Sequence, residues 1–240
     1  MTLPTPAFLC SFKTYPGTAG SDGLELARSL SRAATDAAER TESERSSPIR
    51  LAVAPQTPDV RLLSRETDLP VIAQAADAAD PGEGTGDVLV ETLADAGADA
   101  VFVNHPEREQ SLPATRTLIE RCADSGMDAI VCVRGVEEGI AAVELGADWL
   151  LLEKPADVAS GDPLVRRHPD RVRTFVERVR SAAAAHGRDV AIAVGGGISR
   201  PADVAAAFEL GVDAVGAASS VVTAADPAAR LETLLSEDPS

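Results

Sequence analysis

Only two lysines, Lys13 and Lys154, stand among the 22 basic residues of this chain, and arginine carries the rest of the positive charge. In such a chain a retained lysine marks a position where a compact ammonium is wanted in place of a guanidinium fork. Lys13 closes the apolar run 7–12, and Lys154 directly follows the run 148–153. Chance survival is the plain alternative, and for Lys154 alone the two readings stand level. Lys13 has stronger company. Ser11 lies two residues before it, and the ends of the other apolar runs carry Gln74, Asn104 with His105, Arg134, Glu153, Gly195-Gly196-Gly197 and Ala217-Ala218-Ser219. The set contains a carboxylate base, an imidazole, a fixed cation and small-residue loops suited to phosphate. Those are the parts needed to move a proton beside a carbonyl on a phosphorylated substrate.

Something must bring these ends together. Short apolar or β-branched runs near 7–12, 49–54, 70–75, 100–104, 128–133, 148–153, 189–194 and 213–218 predict eight strands. Helix-period stretches near 21–40, 57–65, 85–96, 110–125, 136–145, 169–186, 200–210 and 226–236 alternate with them. Such alternation implies parallel pairing through right-handed crossovers, and eight units in 240 residues fit one closed (β/α)8 barrel spanning 1–240 as a single domain. Gly97, Gly146 and Gly211, each followed two residues later by aspartate, are placed to end a helix in the left-handed conformation. The most loop-like stretch, 41–48, falls at the bottom of that barrel. An open doubly wound sheet is the structural alternative, but it gives no natural place to a second small-residue loop near the carboxyl end.

Composition narrows the partners. With 38 acidic against 22 basic residues the net charge is −16, which repels nucleic-acid backbone and anionic membrane. Acidic excess with scarce lysine also fits a proteome adapted to concentrated salt. Cys10, Cys122 and Cys132 have neither metal-ligand spacing nor the density of a disulfide scaffold, and read as reduced, buried thiols of a cytoplasmic protein. No run reaches the length needed to cross a bilayer.

Ser11-Phe12-Lys13, Ala54-Pro55-Gln56, Asn104-His105-Pro106-Glu107-Arg108, Glu153, Gly195-Gly196-Gly197-Ile198-Ser199 and Ala218-Ser219-Ser220 occur in one order along almost the whole chain. In that order they resemble the triose-phosphate isomerase family, particularly its short archaeal form. The resemblance implies a TIM barrel, Glu153 as the base that moves a proton between adjacent carbons, and His105 as a neutral electrophile. It implies that Lys13 stabilises developing negative charge while Glu107 holds it, with Ser11 in support. Phosphate would rest on main-chain amides of Gly161, Gly196, Gly197, Ala218 and Ser219, although a glycine triplet is also simply a tight turn. Pro106 suits a first helical turn, so His105 is expected to cap a helix whose dipole disfavours its cationic form. No metal or cofactor is implied. The resemblance further implies a homodimer or homotetramer, assembled through the loop 80–86.

Four departures bear on specificity. Ser11 replaces the family's asparagine, Pro106 its serine and Lys154 the proline that opens its lid, where Ala159 also differs. Arg134-Gly135 stands where archaeal relatives have asparagines, as a solvated rim residue or as a contact for an extra anionic group. The leading expectation is a cofactor-free aldose–ketose isomerase of small sugar phosphates, triose phosphates first. Rivals are isomerisation of a four-carbon sugar phosphate, a phosphate-binding synthase or lyase, and a catalytically silent homologue.

Overall fold

The computed structural model describes residues 3–41, 47–154 and 163–236. Eight strands form one parallel sheet: β1 Ala7–Ser11, β2 Arg50–Ala54, β3 Ile72–Ala73, β4 Ala100–Val103, β5 Asp128–Val133, β6 Trp149–Leu152, β7 Ala191–Val194 and β8 Ala214–Ala217. Their order is β2-β1-β8-β7-β6-β5-β4-β3. A single parallel bridge between Val53 and Val71, in which Val53 N donates to Pro70 O at 3.0 Å, brings the two ends together. The result is a nearly closed (β/α)8 TIM barrel, as expected.

Helices alternate with the strands on the outside: α1 Gly20–Thr41, α2 Val60–Glu66, α3 Val90–Ala96, α4 Leu112–Asp124, α5 Val136–Glu144, α6 Leu164–Arg167, α7 Pro169–Ala185, α8 Pro201–Glu209, α9 Ser219–Val222 and α10 Pro227–Leu235. Two differ from expectation by existing at all, since neither α6 nor α9 shows in the periodicity. Both have four residues, too few to print a helical period. The helix expected from 85 begins only at Val90, because Asp77 takes the intervening backbone elsewhere. Its N–H donates to Val88 O at 2.8 Å and its carboxylate accepts Val88 N–H at 2.9 Å. The expected loop 41–48 lies mostly outside the described residues.

Strand side chains alternate across the wall. Phe8 and Cys10 point outward into the layer between sheet and helices, whereas Ala7 and Leu9 point into the barrel. The inner core holds one indole, Trp149, among small neighbours that include Ala7, Ala52, Ala100, Ala191 and Ala214. The small inward side chains of β2, β7 and β8 leave room along the axis for the large ones of β4 and β6, Phe102, Trp149 and Leu151.

The three recurrent glycines end their helices at positive φ, 90° at Gly97, 106° at Gly146 and 86° at Gly211. Their paired aspartates do work that the sequence did not announce. Asp99 accepts the Val71 N–H and Asp213 the Ile192 N–H, each at 2.8 Å, so a carboxylate at one strand's start fixes the entry of its neighbour. Cys10, Cys122 and Cys132 are free and buried. Burial pushes the Cys10 thiol up to about 12. Among the described residues no helix is long and apolar enough to cross a membrane.

Candidate active site

At the carboxyl ends of the strands the inward alternation continues past the apolar core. Trp149 and Leu151 are followed by Glu153, and Ala7 and Leu9 by Ser11 and Lys13. A cavity of about 790 Å³ opens there, lined by Ser11, Lys13, Gln74, His105, Glu107, Glu153 and the loops after β7 and β8.

Lys13 sits at φ 47°, in the left-handed region that non-glycine residues seldom occupy. Two contacts hold it there. The Gln74 side-chain amide donates to Lys13 O and to Ala54 O, both at 3.0 Å, and the Lys13 N–H donates to Ser11 Oγ at 3.3 Å. Its ammonium donates to Glu107, and this bond is the main reason the Glu107 carboxyl lies below its usual range.

Asn104, at φ 57°, turns the chain sharply at the end of β4, a conformation asparagine tolerates. It is locked by a reciprocal pair: Asn104 N donates to Gln110 Oε1 at 3.0 Å, and Gln110 N donates to Asn104 Oδ1 at 2.9 Å. The segment between them carries His105. No helix begins at His105, contrary to expectation, since α4 starts at Leu112 behind the capping side chain of Ser111. His105 heads a single turn, closed by Arg108 N donating to His105 O at 2.7 Å. Burial first, and then the neighbouring Lys13 ammonium, lower the imidazole from 6.5 to about 4 against the opposing pull of Glu107. The ring is therefore neutral at neutral pH, through desolvation and a like charge instead of a helix dipole.

Its tautomer follows from one bond. Glu107 N–H donates to Nδ1 at 3.1 Å, so the proton of the neutral ring sits on Nε2. Lys13 Nζ lies 3.1 Å from Nε2, which sets two proton-bearing nitrogens side by side. Glu153 Oε2 is 3.8 Å from the same Nε2, and Glu153 is buried. Gly195 makes this carboxylate position possible: a Cβ there would lie 3.1 Å from Glu153 Oε2 and 3.3 Å from its Cδ.

The small-residue loops line the same cavity. Gly196 and Gly197 are both left-handed, at φ 80° and 76°, and successive amides turned this way form a concavity suited to an anion. Ala218 caps α9, whose first amides are free of intrahelical partners by its geometry. The two loops are tied together by Ser220 Oγ, which donates to Ile198 O at 2.7 Å, and by Arg230, which donates to Ser199 O and Ser220 O. Gly161 and Ala159 lie outside the described residues. Arg134 is not part of the cavity lining; it pairs with Glu109 at 2.5 Å on the rim. Sequence reasoning missed Gln110, Arg230 and the reason for Gly195, and only the asparagine at 104 signalled a left-handed turn.

A buried carboxylate, a neutral imidazole and an ammonium meet at the carboxyl end of the (β/α)8 barrel, the face where this fold carries its chemistry, and likeness to known proteins makes the chain an isomerase-type barrel enzyme. The triosephosphate isomerase family model matches residues 24–235. A triosephosphate isomerase of Methanothermus fervidus is 34% identical over 235 residues, covering 98% of this chain and 100% of its own. Those of Methanosarcina acetivorans and Methanopyrus kandleri are also 34% identical, over 97% and 98% of this chain and 99% and 98% of theirs. The chain belongs to the triosephosphate isomerase family.

Proposed function

We propose that this protein, acting as one domain, interconverts an aldose and a ketose phosphate through an enediolate, with dihydroxyacetone phosphate and glyceraldehyde 3-phosphate as its first substrates. The observation that carries the reading is the convergence on His105 Nε2, with Lys13 Nζ at 3.1 Å and Glu153 Oε2 at 3.8 Å. Glu153 takes a proton from the carbon beside the carbonyl. The C–H electron pair becomes the C=C bond of the enediolate, and the carbonyl pair moves onto oxygen. That oxygen lies where the Lys13 ammonium and the His105 Nε2–H both donate, a preorganised oxyanion site. A neutral imidazole then passes protons between the two oxygens, and the Glu153 carboxylic acid returns its proton to the neighbouring carbon. Only protons move, so the chemistry asks for no electron carrier. The amides of Gly196, Gly197, Ala218 and Ser219 hold the phosphate.

Ser11 supports a second reading, a longer sugar phosphate such as a four-carbon ketose, because its short side chain leaves room beside Lys13. The exposed loop 80–86 supports assembly into a homodimer or homotetramer. Buried thiols and acidic charge fit a reducing, salt-rich cytoplasm. The test is isomerisation of a panel of three- to five-carbon sugar phosphates in concentrated potassium chloride. Turnover of triose phosphates that Glu153→Gln abolishes is expected; a folded protein inert on the whole panel overturns the reading.

A further inference from the structure

Asp203, in the first turn of α8, is completely buried. Its Oδ2 accepts the backbone N–H groups of Ser199 and Arg200, both at 2.9 Å. Its Oδ1 accepts Arg166 Nε at 2.8 Å, and Arg166 Nη2 lies 3.5 Å from Oδ2. An acidic residue closing back on the start of its own helix is a common cap, and it needs no arginine. Here a guanidinium is brought 37 residues along the chain, from α6, to meet it. A carboxylate this deep is costly to bury unless its charge is matched.

What the carboxylate holds is the exit of the glycine loop. Ser199 lines the cavity, whereas neither Arg166 nor Asp203 does. The backbone there is gripped from several helices at once. Asp203 of α8 takes Ser199 N, Arg230 of α10 donates to Ser199 O, and Ser220 of α9 donates to Ile198 O. Asp203 is the one acceptor in that group, and Arg166 is its counter-charge.

We infer that the Arg166–Asp203 pair is a positioning device for the anion cradle: it fixes the peptide planes that follow Gly196 and Gly197, so affinity for the substrate's phosphate depends on a residue of α6 outside the cavity. This rests on the phosphate reading of the cradle. The pair meets no reacting atom, so its loss weakens binding and leaves the proton transfers at their rate.

The test uses the full chain with Arg166→Met and Arg166→Lys, reading KM and kcat for isomerisation and the affinity for inorganic phosphate by calorimetry. Arg166→Met is expected to raise KM and the phosphate Kd about tenfold, within the range that neighbours in one network command, with kcat changed less than about threefold. Lysine, which keeps the charge and one of the two bonds, recovers part of the affinity. If the orphaned carboxylate prevents folding of Arg166→Met, the double substitution Arg166→Met with Asp203→Asn removes the buried charge and carries the same readouts. A folded variant with wild-type phosphate affinity overturns the inference alone. A wild-type protein that binds no phosphate overturns both the cradle and its support.

Discussion

The floor and the mouth of the barrel are built from the same strands by the same alternation, yet they are opposite in chemistry. On β6 the inward residues run Trp149, Leu151 and then Glu153: an indole at the floor, an aliphatic step, and a carboxylate at the mouth. On β1 they run Ala7, Leu9, Ser11 and Lys13. The floor packs the Trp149 indole with alanines and a few larger aliphatic side chains, and among the described residues the Trp149 Nε1–H is a buried donor that meets no acceptor. At the mouth, side-chain groups are paired with backbone across long sequence distances. The difference separates stability from chemistry by height along one strand, over four residues.

Glu153→Gln should be the largest effect, lowering kcat roughly a hundredfold to ten-thousandfold with the thermal midpoint unchanged. Full activity in that variant breaks the assignment of the mouth. Trp149→Ala should do the reverse, costing about 3–5 kcal/mol in urea denaturation while the folded fraction keeps its kcat. Loss of kcat per folded molecule would show that floor and mouth are not independent. Ser11→Asn with Lys154→Pro, which introduces the residues that the resemblance implies at these positions, should shift discrimination between triose and longer sugar phosphates by about 1–3 kcal/mol. Unchanged relative kcat/KM values would remove specificity from these positions.

Gly195→Ala tests the join between the two regions more gently. Its methyl must displace the Glu153 carboxylate by a few tenths of an ångström, and kcat should fall about tenfold, since misplacement of a reacting group by about 1 Å costs roughly a hundredfold. A normal kcat would mean the carboxylate has slack. The smallest effect, per unit of pH, comes from His105. Its folded value of about 4 lies below the unfolded 6.5, so in that window the unfolded chain binds the proton and the folded one does not. Stability should therefore fall with acid between 6.5 and 4, at no more than about 1.4 kcal/mol per pH unit from this one group. His105→Gln should flatten that part of the curve.

The strands and the glycine-x-aspartate turns were legible because their signals are local: apolar runs, and glycine where a helix must end. Lys13, His105 and Glu153 stood out as chemically unusual residues at strand ends, and the geometry brings them within one cavity. The resemblance named Ser11 and Glu107 as supports of Lys13, but the further supports were not legible, since each is a side chain meeting backbone far away in sequence. Gln74 reaches Lys13 O across 61 residues, and Arg230 reaches Ser199 O across 31. Such bonds leave no period and no motif. His105 shows the limit from the other side: Pro106 is a sound helix-start signal, but the Asn104–Gln110 pair closes the segment into a turn before a helix can form.

The barrel's hydrogen-bonded wall is uneven. Between β1 and β2 five residue pairs are in register, whereas among the described residues the ladder from β2 toward β3 is the single bridge of Val53 to Val71, the residue before β3. A tube slit along one side is soft against twisting until something bridges the slit, and here the bridge at the upper rim is the Gln74 amide, bonded at once to the end of β2 and to the backbone of Lys13. Any opening of that seam must therefore disturb the backbone of Lys13, so one side chain couples the torsional stiffness of the wall to the aim of the ammonium.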